Sequence, residues 1–287
     1  MTNGRLGTVR SSSLRLAVLV VIALLGAAIA VERSRTDCFP ATMSQYLNTP
    51  VRPALTVGFG AIGLCLILVR QPDIAGQRVM SAIGALAIVL AATPARARDE
   101  GCTSIPIPEL ATINTTGAQT ACALLMGAVL VGVVLAEGEE RGMLARRSAA
   151  VGVVCLAPSV LVTSVVRSAY PGRSEEWITQ VHNAAALALF LLLLAAVRHS
   201  AQAATGLYRA GYRACGTALM LLYVATVVAS FTADQLLAGG WRHPVLVAEF
   251  IGFTIVCVFW SIQTAEVEGS RPANRDRRVR PSLQCRT

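Results

Sequence analysis

The 287-residue sequence contains no lysine and few charged residues of any kind. Only 14% of its residues are charged and 5% are aromatic, whereas 54% are hydrophobic. A soluble domain carries about 25% charged residues, which it needs to cover a surface in contact with water. The composition therefore excludes a soluble globular protein and predicts an integral membrane protein.

The patterns of several other classes are also missing. With 23 glycines the chain is too poor in glycine for collagen, and it has no heptad repeat. It has no glycine-rich phosphate loop, no G-x-S-x-G elbow, no clustered Cys/His motif and no convincing internal repeat of spans. We therefore expect no structural metal and no cofactor.

Long apolar stretches fill much of the chain. A hydrocarbon core of about 30 Å needs about 20 mostly apolar residues in a helix. Runs such as 184–197 do not alternate between apolar and polar residues, so the stretches predict helices and not the strands of a membrane barrel. Eight spans are predicted: Leu14–Val31, Val51–Val69, Val79–Ala95, Gly117–Ala136, Ser148–Arg167, Trp177–Val197, Ala214–Ala233 and Pro244–Thr264.

These spans define the expected organisation, an all-α polytopic bundle. Residues 1–13 form an N-terminal segment, 14–264 the eight-span transmembrane domain, and 265–287 a disordered, arginine-rich tail. The first span also resembles a signal peptide, because arginines precede it and Ala28-Ile29-Ala30 resembles a cleavage site. We favour a retained span, since its apolar run is long for a signal core.

The arginines indicate the orientation. With eight spans both termini lie on one side of the membrane, and the segments on that side, together with the span ends that adjoin them, hold 17 of the 25 arginines, against 8 on the other. Basic residues are enriched in cytoplasmic segments, so we expect both termini in the cytoplasm and the chain in the cytoplasmic membrane. The arginines of the tail contribute most of this difference.

A net charge of +9 raises the question of a nucleic-acid partner. The excess lies beside the spans and in the tail, which instead predicts contact with membrane lipids, above all with anionic lipids of the inner leaflet. Other membrane proteins remain alternative partners, and no nucleic acid is expected.

Two of the eight cysteines differ from the others in their position. Five lie inside predicted spans, where a thiol usually behaves as a small apolar side chain, and Cys285 is in the tail. Cys38 and Cys102 fall in two loops predicted to face outward, where thiols can oxidise. We therefore predict a disulfide bond between Cys38 and Cys102.

An ionisable side chain at the centre of a span raises the free energy of membrane insertion by about 2.5–3.5 kcal/mol. Each such residue is therefore expected to have a structural or functional role. His182 and Glu249 each lie five residues into a span that starts on the outer side, at a similar depth of about 8 Å. One interpretation is a pair that takes and returns a proton. The other is that each side chain bonds a neighbouring helix or extends to the interface.

Further polar residues are predicted at the same outer level. Arg52 opens the second span and offers a five-donor fork for a carboxylate or an anionic headgroup, while Tyr46 and Asn114 lie in outer loops. Tyrosine and arginine also serve as ordinary interfacial anchors. The structural hypothesis is that spans two, six and eight surround an outward-facing polar pocket, with His182, Glu249, Arg52, Tyr46 and Asn114 as ligand-binding candidates.

Several short motifs carry a resemblance to other proteins. The segment from Ser44 to Arg52 resembles the S-x-Y-x-x-T-P-x-R pattern ahead of the second span in a group of uncharacterised bacterial, especially actinobacterial, integral membrane proteins. Similar matches are His182-Asn183-Ala184-Ala185-Ala186 with Phe190, Tyr208-Arg209 with Tyr212-Arg213, and Phe259-Trp260 with Gln263-Thr264 and Glu266. Thr93-Pro94 departs from the group by reversing its Pro-Thr order. The resemblance implies a multi-span architecture and names no activity.

Three functions remain in competition. The first is a non-enzymatic protein that binds or passes a small or lipidic ligand through the outward-facing pocket. The second is a membrane scaffold, whose polar residues only hold helices together. The third is an enzyme of outer-leaflet lipid or envelope material with His182 as general base. The enzyme is the least favoured, because the sequence offers only scattered Ser and Thr as nucleophiles, and no catalytic residue is assigned.

Overall fold

The computed structural model describes residues 3–36, 40, 42–69, 71, 73–93, 174–236 and 243–269. These residues form helices and connecting segments, and no strand occurs among them, which confirms the all-α prediction for this part of the chain. In chain order the elements are α1 (Asn3–Arg35), a 3₁₀ helix (Met43–Asn48), α2 (Arg52–Leu68), α3 (Ile74–Ala92), α4 (Ser174–Ala203), α5 (Gly206–Leu236) and α6 (Pro244–Gly269).

The helices make this a membrane-embedded protein. Five of them, α1, α3, α4, α5 and α6, contain segments of 19–26 residues that are long and apolar enough to cross a membrane. Helix α2 is apolar but has 17 residues. Six of the eight predicted spans coincide with these helices. The spans at 117–136 and 148–167 lie outside the described residues, so the total of eight and the side of each terminus stay predictions.

Helix ends depart from the predicted spans where polar groups determine them. Helix α3 begins at Ile74, five residues before the predicted start at Val79, because the Asp73 carboxylate caps it by accepting the Gly76 N–H at 2.7 Å. Helix α5 begins at Gly206, whose φ of +56° lies in the left-handed region that glycine adopts without strain. Hydropathy locates the apolar part of a helix, whereas capping and turn geometry locate its end.

The six helices pack as a closed ring. Each helix contacts the next one in chain order, and α1 completes the ring by contacting α6. Helices α2 and α6 also approach each other through the rings of Phe59 and Phe253, whose centroids are 5.9 Å apart. Helix α4 lies between α3 and α5 around the ring, whereas α2 and α6 also touch each other directly.

Apolar side chains cover the outside of the ring. Leu16, Val20 and Leu24 recur every four residues on α1 and are all exposed. Helix α6 carries a similar exposed stripe at Val247, Ile251 and Val258. In water such stripes would be unfavourable, but in a bilayer they are the faces that acyl chains cover.

Glycines allow α2 to approach its two neighbours closely. A Cβ on Gly63 would lie 2.5 Å from the carbonyl oxygen of Gly84 in α3, and the reverse distance is also 2.5 Å. A Cβ on Gly58 would lie 2.3 Å from a methyl of Leu25 in α1. Close contact through small residues is a main source of helix association in membranes.

Candidate functional site

The polar contacts between different helices of the described residues gather at two opposite ends of the bundle. At one end, which we call the Glu249 end, α1 and α3 finish and α2, α4 and α6 begin. At the other, which we call the Arg15 end, α6 finishes and α5 begins, close to Arg15 of α1. The predicted site residues lie at the Glu249 end.

At the Glu249 end the segment before α2 folds into a compact 3₁₀ helix. Five of its six residues are buried, including Tyr46 at 1% exposure. Thr49 closes the segment by donating from its backbone N–H and its hydroxyl to the Tyr46 carbonyl, at 3.1 and 2.8 Å. Burial raises the pKa of the Tyr46 phenol above its usual value of 10.0, so this tyrosine remains a neutral group that can donate a hydrogen bond.

Glu249 holds this segment to the last helix. Its carboxylate accepts a hydrogen bond from the backbone N–H of Met43 at 2.5 Å, which joins α6 to the first residue of the 3₁₀ helix. A hydrogen bond of this kind contributes about 0.5–1.5 kcal/mol when the carboxyl group is neutral and about 1.5–3 kcal/mol when it is charged. Glu249 therefore fixes the position of the connection between α1 and α2.

His182 makes a separate connection. It is 8% exposed, and its Nδ1–H donates to the carbonyl of Thr93, the residue that ends α3. Helix α4 is thus tied to α3, its neighbour in the ring. Both ionisable residues bond to backbone groups of other segments, and a direct hydrogen bond between His182 and Glu249 is not among the contacts of the described residues.

Of the other predicted site residues, Arg52 lies among the described residues and Asn114 does not. Arg52 is the first residue of α2, half-buried beside the 3₁₀ helix, and its backbone N–H donates to Thr49 at 3.0 Å. Asn114, Cys38 and Cys102 lie outside the described residues, so the role of Asn114 and the disulfide stay predictions. No group of three or more His, Cys, Asp or Glu residues in the described ranges is placed to hold a metal ion.

Sequence reasoning did not single out the cluster at the Arg15 end as a site. Arg15 of α1 is only 2% exposed, its Nη1 donates to the Gln263 carbonyl at 3.0 Å, and its guanidinium lies 5.8 Å from the centre of the Trp260 ring. Tyr212 of α5 is fully buried and donates to the Glu266 carboxylate at 2.6 Å. This cluster joins α1, α5 and α6.

The sequence contained two signals for this cluster. Arg15 is the second residue of the predicted first span, so it already lies within an apolar helix. Trp260, Gln263 and Glu266 recur every three residues, which places them on one face of α6. The motifs Tyr212-Arg213, Phe259-Trp260 and Gln263-Thr264, quoted above as a resemblance, each contribute a residue to the cluster.

No protein-family model, no curated protein and no solved structure matches this chain.

Proposed function

We propose that this chain is a non-enzymatic, multi-pass protein of the cytoplasmic membrane that binds or passes a small or lipidic ligand at the Glu249 end. The excess of arginine on the opposite side supports an outward direction for this end. The observation that carries the proposal is the Glu249 carboxylate, an ionisable group in a predicted span that holds a connecting segment by one hydrogen bond.

The geometry provides a means of coupling ligand to structure. A ligand that brings an amine or hydroxyl donor competes with the Met43 N–H for the Glu249 carboxylate. Binding then weakens the hydrogen bond that joins α6 to the 3₁₀ helix. The 3₁₀ helix packs against α2, so the change reaches α2. Arg52, the half-buried first residue of α2, lies beside this segment and supplies further donors to an anionic or polar headgroup, whereas Tyr46 is buried within the segment.

The test is native mass spectrometry of the protein purified with its own membrane lipids. In Glu249→Gln the side-chain carbonyl still accepts the Met43 N–H, so the segment stays in place while the charge is lost. We expect the wild type to retain a bound species that Glu249→Gln loses by at least about tenfold, which corresponds to about 1.4 kcal/mol.

The matched control is Glu268→Gln, an exposed glutamate near the other end of the same helix. It should retain the bound species as the wild type does. Equal retention by all three folded proteins, or no bound species in the wild type, would contradict the proposal.

A membrane scaffold is the second candidate, and one observation favours it. Both His182 and Glu249 bond to backbone groups of other segments, as polar residues that only hold helices together would do. A scaffold predicts that Glu249→Gln and His182→Asn alter thermal stability alone, and that the wild type carries no bound species.

A further inference from the structure

Helices α4 and α5 pack against each other in a register that short contacts fix. They are joined by residues 204–205 at the Arg15 end and run antiparallel from there. A Cβ on Gly216 of α5 would lie 3.4 Å from a methyl carbon of Val197 in α4. Seven residues further from the connection on each helix, the rings of Tyr223 and Phe190 stack with their centroids 4.9 Å apart. Gly216 and Val197 are therefore at the same depth, and other residues of the two helices are placed relative to them.

This register brings two exposed arginines to almost the same depth. Arg198 follows Val197 directly, and Arg213 precedes Gly216 by three residues, so both lie toward the Arg15 end. At about 1.5 Å per residue, their backbones are about 1.5 and 4.5 Å from the level of Val197 and Gly216. The axes of packed helices are about 8–10 Å apart, so Arg198 and Arg213 flank the outer side of one groove between α4 and α5.

A third arginine lies at the end of this groove. Arg209 is one turn closer to the helix connection than Arg213 and shares its face of α5. Its Nε–H donates to the Ala204 carbonyl at 2.7 Å, which holds the guanidinium group beside the connection. This bond uses one of the five N–H donors of arginine, and a bidentate contact with a phosphate uses two.

The motif that contains Arg209 and Arg213 divides its residues between two sides of α5. Tyr208 donates to a carbonyl group of α6 at 3.4 Å, and Tyr212 donates to the Glu266 carboxylate at 2.6 Å. Each arginine follows its tyrosine by one position, which is about 100° around the helix, and lies on the side toward α4. The tyrosines therefore attach α5 to α6, and the arginines face the groove.

Carboxylates of α4 and α5 do not offset the positive charge of the groove. The sequence from 177 to 233 contains no Asp or Glu. Of the carboxylates on neighbouring elements, Asp73 contacts His199 at 3.1 Å on the side of α4 toward α3. Glu266 contacts Tyr212 on the side of α5 toward α6. The groove therefore presents positive charge to whatever lies beside it.

Apolar side chains continue the groove toward the middle of the bilayer. On α4, Leu191 and Leu187 lie seven and eleven residues from its arginine, on the same face, and are 53% and 45% exposed. On α5, Met220 and Val224 have the same spacing from Arg213 and are 44% and 50% exposed. A soluble anion makes no use of this apolar surface, whereas the acyl chains of a lipid cover it. The combination of a basic end and an apolar length matches an anionic phospholipid.

We propose that the groove between α4 and α5 binds one anionic phospholipid of the leaflet at the Arg15 end, with its phosphate between Arg198 and Arg213. Under the predicted orientation this is the inner leaflet, whose anionic lipids attract basic residues. Arginine suits this role, because its planar donors match the oxygens of a phosphate. The site is separate from the lipid contact expected for the arginine-rich tail and from the Glu249 end.

The test is native mass spectrometry of the full-length protein titrated with phosphatidylglycerol in detergent. We expect Arg198→Gln/Arg213→Gln to bind the first lipid at least about tenfold more weakly than the wild type, because both positive charges at the phosphate are lost. The matched control is Arg275→Gln/Arg278→Gln, which removes the same charge from the tail and should bind the first lipid as the wild type does. Equal affinities in the two double variants would overturn the proposal.

A comparison of ligands on the wild type keeps the test decisive if the groove variant does not fold. Phosphatidylglycerol should raise the thermal midpoint more than the same concentration of phosphatidylcholine, whose choline neutralises the phosphate. Inorganic phosphate should leave the midpoint unchanged, because it has no acyl chains for the apolar part of the groove. Equal stabilisation by phosphatidylcholine would overturn the anionic preference, and equal stabilisation by inorganic phosphate would overturn the lipid as the source.

The variant Glu249→Gln separates this site from the function proposed for the other end of the bundle. It should keep the first phosphatidylglycerol, since the groove uses other residues at the opposite end. Loss of this lipid in Glu249→Gln but not in Arg198→Gln/Arg213→Gln would place it at the Glu249 end and refute the groove.

Discussion

Gly63 of α2 and Gly84 of α3 bring their helix backbones so close that a Cβ on either residue would lie 2.5 Å from the other's carbonyl oxygen. This distance is shorter than Cβ contacts allow, and the obstacle is backbone that cannot rotate away. The contact between α2 and α3 therefore requires glycine at both positions.

We predict that Gly63→Ala destabilises the protein by about 1–3 kcal/mol, because the added methyl forces the two helices apart. Gly60, one turn earlier on the same helix, has nothing within 4 Å of an added Cβ. Gly60→Ala should be neutral or stabilising by up to about 1 kcal/mol, since alanine favours the helix. Thermal unfolding in one detergent compares the two, and equal midpoints would contradict the close contact.

We predict that Tyr212→Phe lowers stability by about 1.5–3 kcal/mol, the value of a hydrogen bond to a charged group. The phenol donates to Glu266 at 2.6 Å in a fully buried position. The neighbouring Tyr208 is more exposed and reaches the Ala265 carbonyl at 3.4 Å, so Tyr208→Phe should stay within about 0.5 kcal/mol. Similar losses in both variants would mean that the Tyr212–Glu266 bond contributes nothing specific.

The stability of α3 should depend on acidity through Asp73. The bond from the Gly76 N–H, and then that from His199 at 3.1 Å, lower the pKa of the Asp73 carboxyl below its usual value of 3.8. Because the pKa of Asp73 is lower in the folded chain than in the unfolded chain, its carboxylate stabilises the fold at any pH above the unfolded-state pKa. This contribution is lost as the pH falls through the folded-state pKa. Thermal midpoints measured between about pH 2 and pH 6 should therefore fall at the acid end.

The control for this acid dependence is Asp73→Asn. Asparagine caps a helix about as well as aspartate but does not titrate. Its midpoint should show less of the decrease at low pH. An unchanged acid profile would assign the effect to another group.

We predict that the first helix is retained in the mature protein. Arg15, Val18, Leu25 and Ile29 of α1 are all buried in the bundle, and α1 contacts both α2 and α6. Cleavage after Ala30 would remove most of α1 and expose the faces of α2 and α6 that it covers. Glu266 would also lose the nearby positive charge of Arg15. The intact mass of purified protein measures this directly, and a chain beginning just after Ala30 would show that the signal-peptide interpretation was correct.

The membrane character and the helix positions could be predicted because they depend on local sequence. Apolar length places a span within a few residues, as Pro244 at the start of α6 illustrates. The ends could not be placed as well, because a single side chain such as Asp73 extends a helix beyond its apolar part.

In the candidate site, too, the depth of a residue along its helix could be predicted, whereas its contacts with other helices could not. Position along a helix gave His182 and Glu249 a similar depth, and both lie at one end of the bundle. Their partners could not be predicted, since these depend on which helices are neighbours. Helix α4 packs between α3 and α5, and α6 between α5 and α1, so the two residues lie on helices that are not adjacent.

Closure of the ring between the first and last helices has a consequence for biosynthesis. Arg15 and its partner Gln263 are 248 residues apart, so the ribosome makes nearly the whole chain before they can meet. During that interval α1 carries a cation near one end of its span without its final contacts, and a charged side chain in a span is costly until it finds partners. Arrival of α6 from the translocon is then the step that completes assembly, and chains truncated before α6 should be recognised by membrane proteases as unfinished.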